Sequence, residues 1–406
     1  MKVLFIMNGL THYYNLVLSR LNSEPGVNLT VIAPTRAGAN IGAGVYQTRE
    51  GINFKVIELE EMRLLGLYST FKGMAGVLLQ EKPDVVVVIE NYLHAFLFDT
   101  SVVIARKKLR AGLILKSIPF RHLPYQDACQ AADKTTVGFS KLPPFINRLL
   151  LAMRVIKLVR RALLAINKRA YCLADAHVNY IDAFEIWDSY KIPREIIFIT
   201  RNSPDTDLSF SVKDSLANTP PILPHNPYRL LHVGRLVEWK RVDMLIRAFA
   251  RLRNRFPGAE LLIIGSGPEE DALKKLSGDL HLGNSVIFTG GVYDPKSLGQ
   301  YFLASSLYVL AGMGGLSIND AMCFSLPILC SVGDGTEKVL VREGINGRYF
   351  RDGDEEDLYE KIVWFFDHAK QSREMGRKSE EIIRNEVNIH TVINGYMDAF
   401  HYVHQK

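Results

Sequence analysis

The stretch LHVGRLVEWKRVDMLIRAF, residues 231–249, decides the fold of the half of the chain around it. It opens with a short apolar run that ends at Gly234 and Arg235, and it closes with apolar side chains repeated at helical spacing. Lys240 follows five residues after the arginine, where the helix is predicted to begin. In open α/β sheets, ligands bind beyond the carboxyl ends of the strands, where loop N–H groups attract negative charge. The stretch therefore predicts a strand, an anion-binding turn and a helix.

Two later turns repeat this design between an apolar strand and a helix. The first contains Gly265 and Gly267 in the sequence GSGP, and the second contains the residues Gly314, Gly315, Leu316 and Ser317. Glycine lets main-chain N–H groups approach a bound anion closely. Each glycine pair alone indicates no more than a tightly packed turn, but three such turns in one half of the chain predict a shared anion site.

Five segments carry a family resemblance, and they occur in the family's order. They are VGRLVEWKRVDMLIRAF, LLIIGSGPEEDALKKL, VIFTGGV, LYVLAGMGGLSINDAMCFSLPIL and DGTEKVLVREGINGRYF. Together they resemble the retaining glycosyltransferases of the GT-B fold, in particular glycosyltransferase family 4 (glycosyl transferases group 1). The resemblance is detailed over residues 230–356 and only architectural before them. It implies an α/β chain of two facing Rossmann-like domains with a cleft between them.

The resemblance also implies a role for individual residues. Arg235 and Lys240 contact the two phosphates of a nucleotide-sugar donor, and the turn of Gly314, Gly315, Leu316 and Ser317 lies beside that diphosphate. The nucleoside is bound by Gly265, Gly267 and Gly290, and its ribose by Asp320. Uracil is the favoured base.

One position departs from the family pattern. The family has two glutamates separated by seven residues, the first near the donor sugar and the second on the ribose. Here the second is the shorter Asp320 and the first falls on Gly312. Ser317, Asn319 or a residue of the facing domain are candidates to replace the lost carboxylate. An inactive protein that only binds the nucleotide is a further alternative.

The chain shows no signal for a metal or an organic cofactor. It has no Asp-x-Asp motif between an apolar strand and a loop, and no cluster of His and Cys. The charge that develops on a departing diphosphate can be held by a metal ion or by protein cations. Protein cations predict a metal-independent enzyme, with a nucleotide sugar as co-substrate.

The first half alternates apolar strands with helical patterns, which predicts a parallel sheet with crossover helices. Gly9 and Thr11 follow the first strand, where the family often has a glycine pair. Family members often place a histidine after a later strand, but residues 115–119 contain none. His94 and His122 follow strand ends and are the candidate catalytic residues, although each is also typical of a surface or packed histidine.

The length of 406 residues exceeds what one core supports, so two domains are expected. The predicted boundaries are an N-terminal acceptor-binding domain (1–205), a linker rich in proline (206–228), a nucleotide-sugar-binding domain (229–385) and a C-terminal helix (386–406). In proteins of this fold, the last helix crosses back to the first domain.

A basic stretch is the most informative charge feature. Residues 134–174 contain nine Lys or Arg and no Asp or Glu, while the whole chain carries only +6. Within the stretch, apolar residues recur at helical spacing, opposite Arg154, Lys157, Arg161 and Lys168. Such a helix can lie on an anionic membrane surface, and the alternative is an ordinary solvated helix face.

The sequence therefore predicts a metal-independent retaining hexosyltransferase. Its donor is a UDP-hexose or UDP-N-acetylhexosamine, and its acceptor is a lipid-linked or other saccharide in surface polysaccharide or glycan assembly. Four scattered cysteines and no apolar run long enough to span a bilayer favour a cytoplasmic protein, peripheral on the inner face of the cell membrane. One alternative is a nucleotide-sugar 2-epimerase or a phosphorylase of the same fold. Another is a basic nucleic-acid-binding protein, which is disfavoured because no aromatic residues are interleaved with the charges. A third is a dehydrogenase, which would need a Gly-x-Gly-x-x-Gly motif.

Overall fold

The structure is a computed structural model that describes residues 1–35, 48–49, 51–64, 66–118, 122–134, 156–333 and 335–405. The chain forms two compact units. The first contains the described residues up to Arg201 and again from Ile393, and the second contains residues Asn202–Val392.

The first unit is built on a parallel sheet. The strands of this sheet are β1 (Lys2–Ile6), β2 (Asn28–Pro34), β3 (Lys55–Leu59), β6 (Val85–Ile89), β7 (Gly112–Ser117), β8 (Ala176–Asn179) and β9 (Ile197–Ile199). The strands β4 (Glu61–Leu64) and β5 (Tyr68–Phe71) form a separate antiparallel hairpin. Seven described strands pair in the order β3-β2-β1-β6-β7-β8-β9. Val3 of β1 lies opposite Leu29 of β2 and Val85 of β6. Strands this apolar are buried on both faces, as expected for a parallel sheet covered by helices.

The helices of this unit begin after the strand ends. They are α1 (His12–Ser23), α2 (Met74–Glu81), α3 (Glu90–Leu93), α4 (Ala95–Phe98), α5 (Thr100–Leu109), α6 (Tyr125–Lys134), α7 (Ile156–Tyr171) and α8 (Phe184–Ser189). The pattern of apolar residues from Leu93 to Arg106 predicts one continuous helix, but the structure has the three short helices α3, α4 and α5 in this region. Asp99 separates α4 from α5, because its backbone is extended and its carboxylate caps α5 by accepting from the N–H groups of Ser101 and Val102.

The second unit is a parallel sheet of six described strands. These are β10 (Arg229–Val233), β11 (Glu260–Ile264), β12 (Val286–Phe288), β13 (Leu307–Leu310), β14 (Ile328–Cys330) and β15 (Gly347–Tyr349), in the order β12-β11-β10-β13-β14-β15. Alternate side chains pack on opposite faces, so Leu230 and Leu231 belong to different apolar cores. The carboxyl ends of β10 and β13 are neighbours, which places their loops side by side.

The helices of the second unit cover both faces of its sheet. They are α9 (Thr206–Ser215), α10 (Val242–Arg255), α11 (Glu270–Asp279), α12 (Pro295–Leu303), α13 (Ser317–Cys323), α14 (Glu337–Leu340), α15 (Glu355–Asp367) and α16 (Ala369–Asn385), followed by α17 (Ile389–His404). Residues 206–228 were expected to be a linker, but α9 lies within them. Phe210, Val212 and Leu216 are buried in the core of the second unit, which gives this segment a packing role.

The last helix supplies side chains to the first unit. Tyr396 and Phe400 are fully buried and contact Phe5 of β1, with ring centroids 5.9 and 6.3 Å apart. The hydroxyl groups of Tyr396 and Tyr14 lie 2.6 Å apart. None of the described helices is long and apolar enough to cross a membrane.

Candidate functional site

Three loops at the carboxyl ends of β10, β11 and β12 are bonded to one another. Gly234 N–H donates to the carbonyl of Ile264 (2.9 Å), and Gly265 N–H donates to the carbonyl of Gly290 (2.8 Å). A Cβ atom on Gly265 would lie 1.8 Å from the Gly234 oxygen, and one on Gly267 would lie 2.2 Å from the Leu236 oxygen. These two glycines are therefore required because the loops approach so closely. Gly265, Gly267 and Gly290, three of the predicted nucleoside residues, therefore lie in loops that are joined through their backbones.

Lys240 lies within the predicted diphosphate turn. Its side chain is 6% exposed, and its ammonium group donates to the carbonyl oxygens of Met313 (2.7 Å) and Gly314. A Cβ atom added to Gly315 would lie 3.0 Å from Nζ. The lysine thus fastens the loop after β13 to the loop after β10. Arg235 is placed differently, since its guanidinium carbon lies 5.7 Å from the ring centroid of Trp239.

Gly312, where the family has its first acid, has no room for a side chain. A Cβ atom there would lie 2.2 Å from the carbonyl oxygen of Trp239 and 2.7 Å from the carbonyl carbon of Lys240. Met313 N–H donates to the same Trp239 oxygen at 3.0 Å. Two backbone segments are therefore in direct contact at this position, and a carboxylate side chain has no space there.

The residues expected to replace that carboxylate are engaged elsewhere. Asn319 is fully buried and its side-chain amide donates to the carbonyl of Asn202 (3.2 Å), so it is not exposed to a donor sugar. Ser317 Oγ lies 2.6 Å from the hydroxyl of Tyr308, which donates to the carbonyl of Val233. Either hydroxyl can be the donor in this pair, so Ser317 is engaged by Tyr308.

Asp320 lies in the first turn of α13 and is partly buried. Burial raises the pKa of its carboxyl to about 6, and the hydrogen bond from Ser209 Oγ (3.1 Å) opposes this shift. An ionised Asp320 accepts hydrogen bonds only, which suits a ligand that presents hydroxyl groups. Ser209 belongs to α9, so the segment expected to be a linker supplies a contact to the site.

His232 is a residue near this site that sequence reasoning missed. It is fully buried in β10, its Nδ1 lies 3.2 Å from the carbonyl of Val309, and its Nε2 has no hydrogen-bond partner. Burial and the neighbouring Lys240 charge lower its pKa to about 4, so the ring is neutral at pH 7. The carbonyl can only accept, so Nδ1 carries the proton and Nε2 has a lone pair. The sequence signal for His232 was a single histidine within an otherwise apolar strand.

A cavity of about 240 Å³ lies in the first unit and contains one predicted catalytic residue. His94 lines it together with Glu90, Tyr68, Asn167 and Tyr171. The His94 ring stacks on Tyr68 with centroids 4.1 Å apart, and its Nε2 lies 2.9 Å from Asn167 Oδ1. Burial lowers the pKa of His94, which favours the neutral ring.

His122 contacts the same cavity wall through Glu90. Its Nε2 lies 2.8 Å from Glu90 Oε1, and the carboxylate also accepts from the N–H of Ile118. Glu90 and Ile118 directly follow β6 and β7, which are neighbours in the sheet. The structure thus joins two residues that are 32 positions apart into an imidazole held by a carboxylate.

The loop after β1 contains Gly9 and Thr11. Gly9 is buried with φ of 154°, and Thr11 precedes α1. The Thr11 carbonyl accepts from the N–H groups of Tyr14 and Asn15, while its side chain makes no capping hydrogen bond.

The basic helix is described only from Ile156, so Arg154 lies outside the described residues. Arg161 pairs with Asp133, with Nε and Oδ1 2.8 Å apart, and Lys168 lies 4.4 Å from the ring centroid of Tyr125. Lys157 is exposed, and Leu158 beside it is 69% exposed. Two of the predicted membrane contacts are therefore engaged within the unit.

Similarity to known proteins is concentrated in the second unit. Residues 218–382 match the family model for glycosyl transferases group 1. An uncharacterized glycosyltransferase of Methanocaldococcus jannaschii is 29% identical over 180 residues, which are 43% of this chain and 45% of the relative. N-acetyl-alpha-D-glucosaminyl L-malate synthase of Bacillus anthracis is 23% identical over 175 residues, 42% of this chain and 45% of that enzyme. The chain thus aligns with about half the length of these relatives.

Similarity in three dimensions extends over both units. Anabaena HepE in complex with UDP aligns with a TM-score of 0.65 at 17% identity, covering 98% of this chain and 99% of HepE. At this identity the likeness concerns the fold, which is GT-B. Together with the family match, it supports a glycosyltransferase of the GT-B fold. Among the described residues, no group of three or more His, Cys, Asp and Glu is placed to hold a metal ion.

Proposed function

We propose that the protein is a retaining glycosyltransferase of family 4 that transfers a hexose or N-acetylhexosamine from UDP to a saccharide or lipid-linked acceptor. The observation that carries the proposal is the position of Lys240. It is held inside the Gly314 turn, in the part of the chain that matches glycosyl transferases group 1. HepE was solved with UDP and with UDP-glucose, which supports uridine as the base.

In this proposal, Lys240 exchanges partners when the donor binds. Its ammonium now donates to two carbonyl oxygens, and phosphate oxygens are stronger acceptors because they are charged. Arg235, beside Trp239, adds the second cation. Both charges stabilise the diphosphate as the bond to the sugar breaks, and the acceptor hydroxyl attacks the same face. We propose that the reaction needs no metal ion, so turnover should survive EDTA.

The first unit would bind the acceptor in the cavity that contains His94. The polar and aromatic lining suits a sugar, and Glu90 and His122 would orient its hydroxyl groups. We propose a cytoplasmic protein that is peripheral on the inner face of the cell membrane, with Lys157 and Leu158 of α7 as the contact.

The central experiment measures UDP binding by isothermal titration calorimetry. Replacing Arg235 or Lys240 by Ala should weaken binding by about 1.5–3 kcal/mol for each charged hydrogen bond lost, which is about tenfold or more. Lys275→Ala is the matched control, because Lys275 is exposed on α11. Equal affinity of all four proteins, or no binding of any nucleoside diphosphate by the parent, would refute the proposal. Conversion of UDP-N-acetylglucosamine without an acceptor would instead identify an epimerase.

A further inference from the structure

A second cavity, of about 570 Å³, lies at the carboxyl edge of the sheet in the second unit. Its lining comes from the loops after β10, β13, β14 and β15 and from the first turns of α10 and α15. We call it the Trp239 cavity. Its described lining includes neither Lys240 nor Asp320, but it adjoins the predicted diphosphate turn through Trp239 and Met313. Its volume is within the range of about 300–1,000 Å³ found for small-molecule sites.

One wall of the Trp239 cavity is apolar and open to solvent. Trp239, Met313 and Val332 are 47%, 48% and 43% exposed, and they come from three different loops. The hydrogen bond from Met313 N–H to the Trp239 carbonyl (3.0 Å) fixes two of these loops together. Large apolar side chains that converge on one exposed concavity mark a binding site rather than random surface composition.

The opposite wall is polar and held in place. Arg247 pairs with Asp243 (2.7 Å) and with Glu355 (2.9 Å), so its guanidinium is fixed between two carboxylates. Arg241 approaches Gly353, where an added Cβ atom would lie 2.8 Å from Nη1. Groups fixed in this way lose little entropy when a ligand binds.

We propose that the Trp239 cavity is a second carbohydrate site, which takes a neutral saccharide. Glu238, Asp243, Asp352 and Glu355 line the cavity against only two arginines, so phosphate groups and nucleic acids are disfavoured. A lipid chain would displace water from the charged wall without supplying any hydrogen bond in return. A pyranose fits both walls, because its C–H face packs on the negative face of an indole and its hydroxyl groups bond to carboxylates and guanidinium.

This site goes beyond the proposed transfer reaction, because it binds a saccharide without turnover. In a transferase it would hold a part of the glycan that is remote from the reacting sugar. Its test therefore uses binding alone, and the nucleotide is measured separately.

The experiment is saturation-transfer NMR with maltotriose, cellotriose and chitotriose as probes, in the presence of saturating UDP. At least one trisaccharide should bind the parent protein. Trp239→Ala, which removes the stacking surface, and Val332→Phe, which fills the cavity, should each weaken that binding by about tenfold or more. Ile345→Ala is the control, because Ile345 is 50% exposed but lies just before β15, at the amino ends of the strands, whereas the cavity lies at their carboxyl ends.

UDP affinity is measured calorimetrically on the same proteins. Val332→Phe should bind UDP like the parent, which separates the two sites. The carbohydrate site is refuted if no trisaccharide binds a parent that binds UDP. It is also refuted if the variants bind the trisaccharide as well as the control does. The cationic peptide tri-lysine is a further probe, and its binding without sugar binding would refute the site as well. Saccharide binding that Trp239→Ala and Val332→Phe weaken, without any UDP binding, would support the site and refute the transferase.

Discussion

Replacing Gly312 by Ala tests the contact on which the Lys240 turn depends. The added Cβ atom would lie 2.2 Å from the Trp239 oxygen and 2.7 Å from the Lys240 carbonyl carbon, whereas an ordinary contact needs at least 3.4 Å. Both atoms belong to the backbone, so no side chain can rotate away. Overpacking costs about 1–3 kcal/mol. Loss of the hydrogen bond from Met313 to Trp239 adds about 1 kcal/mol.

We therefore expect Gly312→Ala to lower the free energy of unfolding by about 2–4 kcal/mol, measured by urea unfolding with circular dichroism. UDP affinity should also fall, because Lys240 is on the displaced turn. Gly278→Ala is the matched control, since nothing lies within 4 Å of its added Cβ atom and alanine favours the helix by up to about 1 kcal/mol. The reasoning fails if Gly312→Ala is as stable as the control and binds UDP like the parent. It also fails if Gly312→Glu, which restores the family's acid, binds UDP-sugars more tightly than the parent.

Three further outcomes follow from the charges described above. The carboxyl of Asp320 has a pKa of about 6 in the folded protein, whereas an unfolded Asp has a pKa near 4. The protonated form therefore stabilises the folded state below pH 4, and this contribution to the free energy of unfolding is lost as the pH rises through 6. Asp320→Asn should then be more stable than the parent by about 3 kcal/mol at pH 7.5 and nearly equal to it at pH 4, and a gain that does not depend on pH would contradict the assignment. The pKa of His232 is about 4 in the folded protein and about 6.5 in the unfolded chain, so the parent loses stability as the pH falls from 6.5 to 4. His232→Phe should reduce this loss in urea titrations at several pH values. An unchanged dependence of the unfolding free energy on pH would show that His232 is not buried as a neutral ring. Replacing Lys157 and Leu158 by Glu should release the protein from anionic liposomes in a sedimentation assay, and equal sedimentation of both forms would rule out α7 as the membrane contact.

The regular elements of the second unit could be read from the sequence because each has a strong local pattern. The strand Leu307–Leu310 and the helix Ser317–Cys323 occur where the apolar runs and glycine turns predict them. Helix α16 (Ala369–Asn385) was missed, since three of its six buried residues, Ser372, Gly376 and Ser379, are small or polar and interrupt the apolar pattern. Helix α9 was missed because the prolines that follow it suggested a linker.

The site was predictable in its loops but not in its contacts. Spacing identified Lys240 and the Gly314 turn, yet it could not show that the lysine bonds to that turn or that Gly312 touches Trp239. Such contacts join residues about 70 positions apart and depend on the pairing of β10 with β13. The pair of Glu90 and His122 was hidden for the same reason, because each residue alone is an ordinary polar side chain after a strand.

The burial of Tyr396, Phe400 and Val403 in the first unit has a consequence for biosynthesis. A Cβ atom on Gly112 would lie 2.8 Å from Val403, so β7 is shaped to receive the last helix. Ribosomes add about 5–20 residues per second, and domains generally fold as they emerge. The first unit cannot finish its core until the whole second unit has been translated, so for tens of seconds the nascent chain exposes an apolar groove that chaperones can recognise.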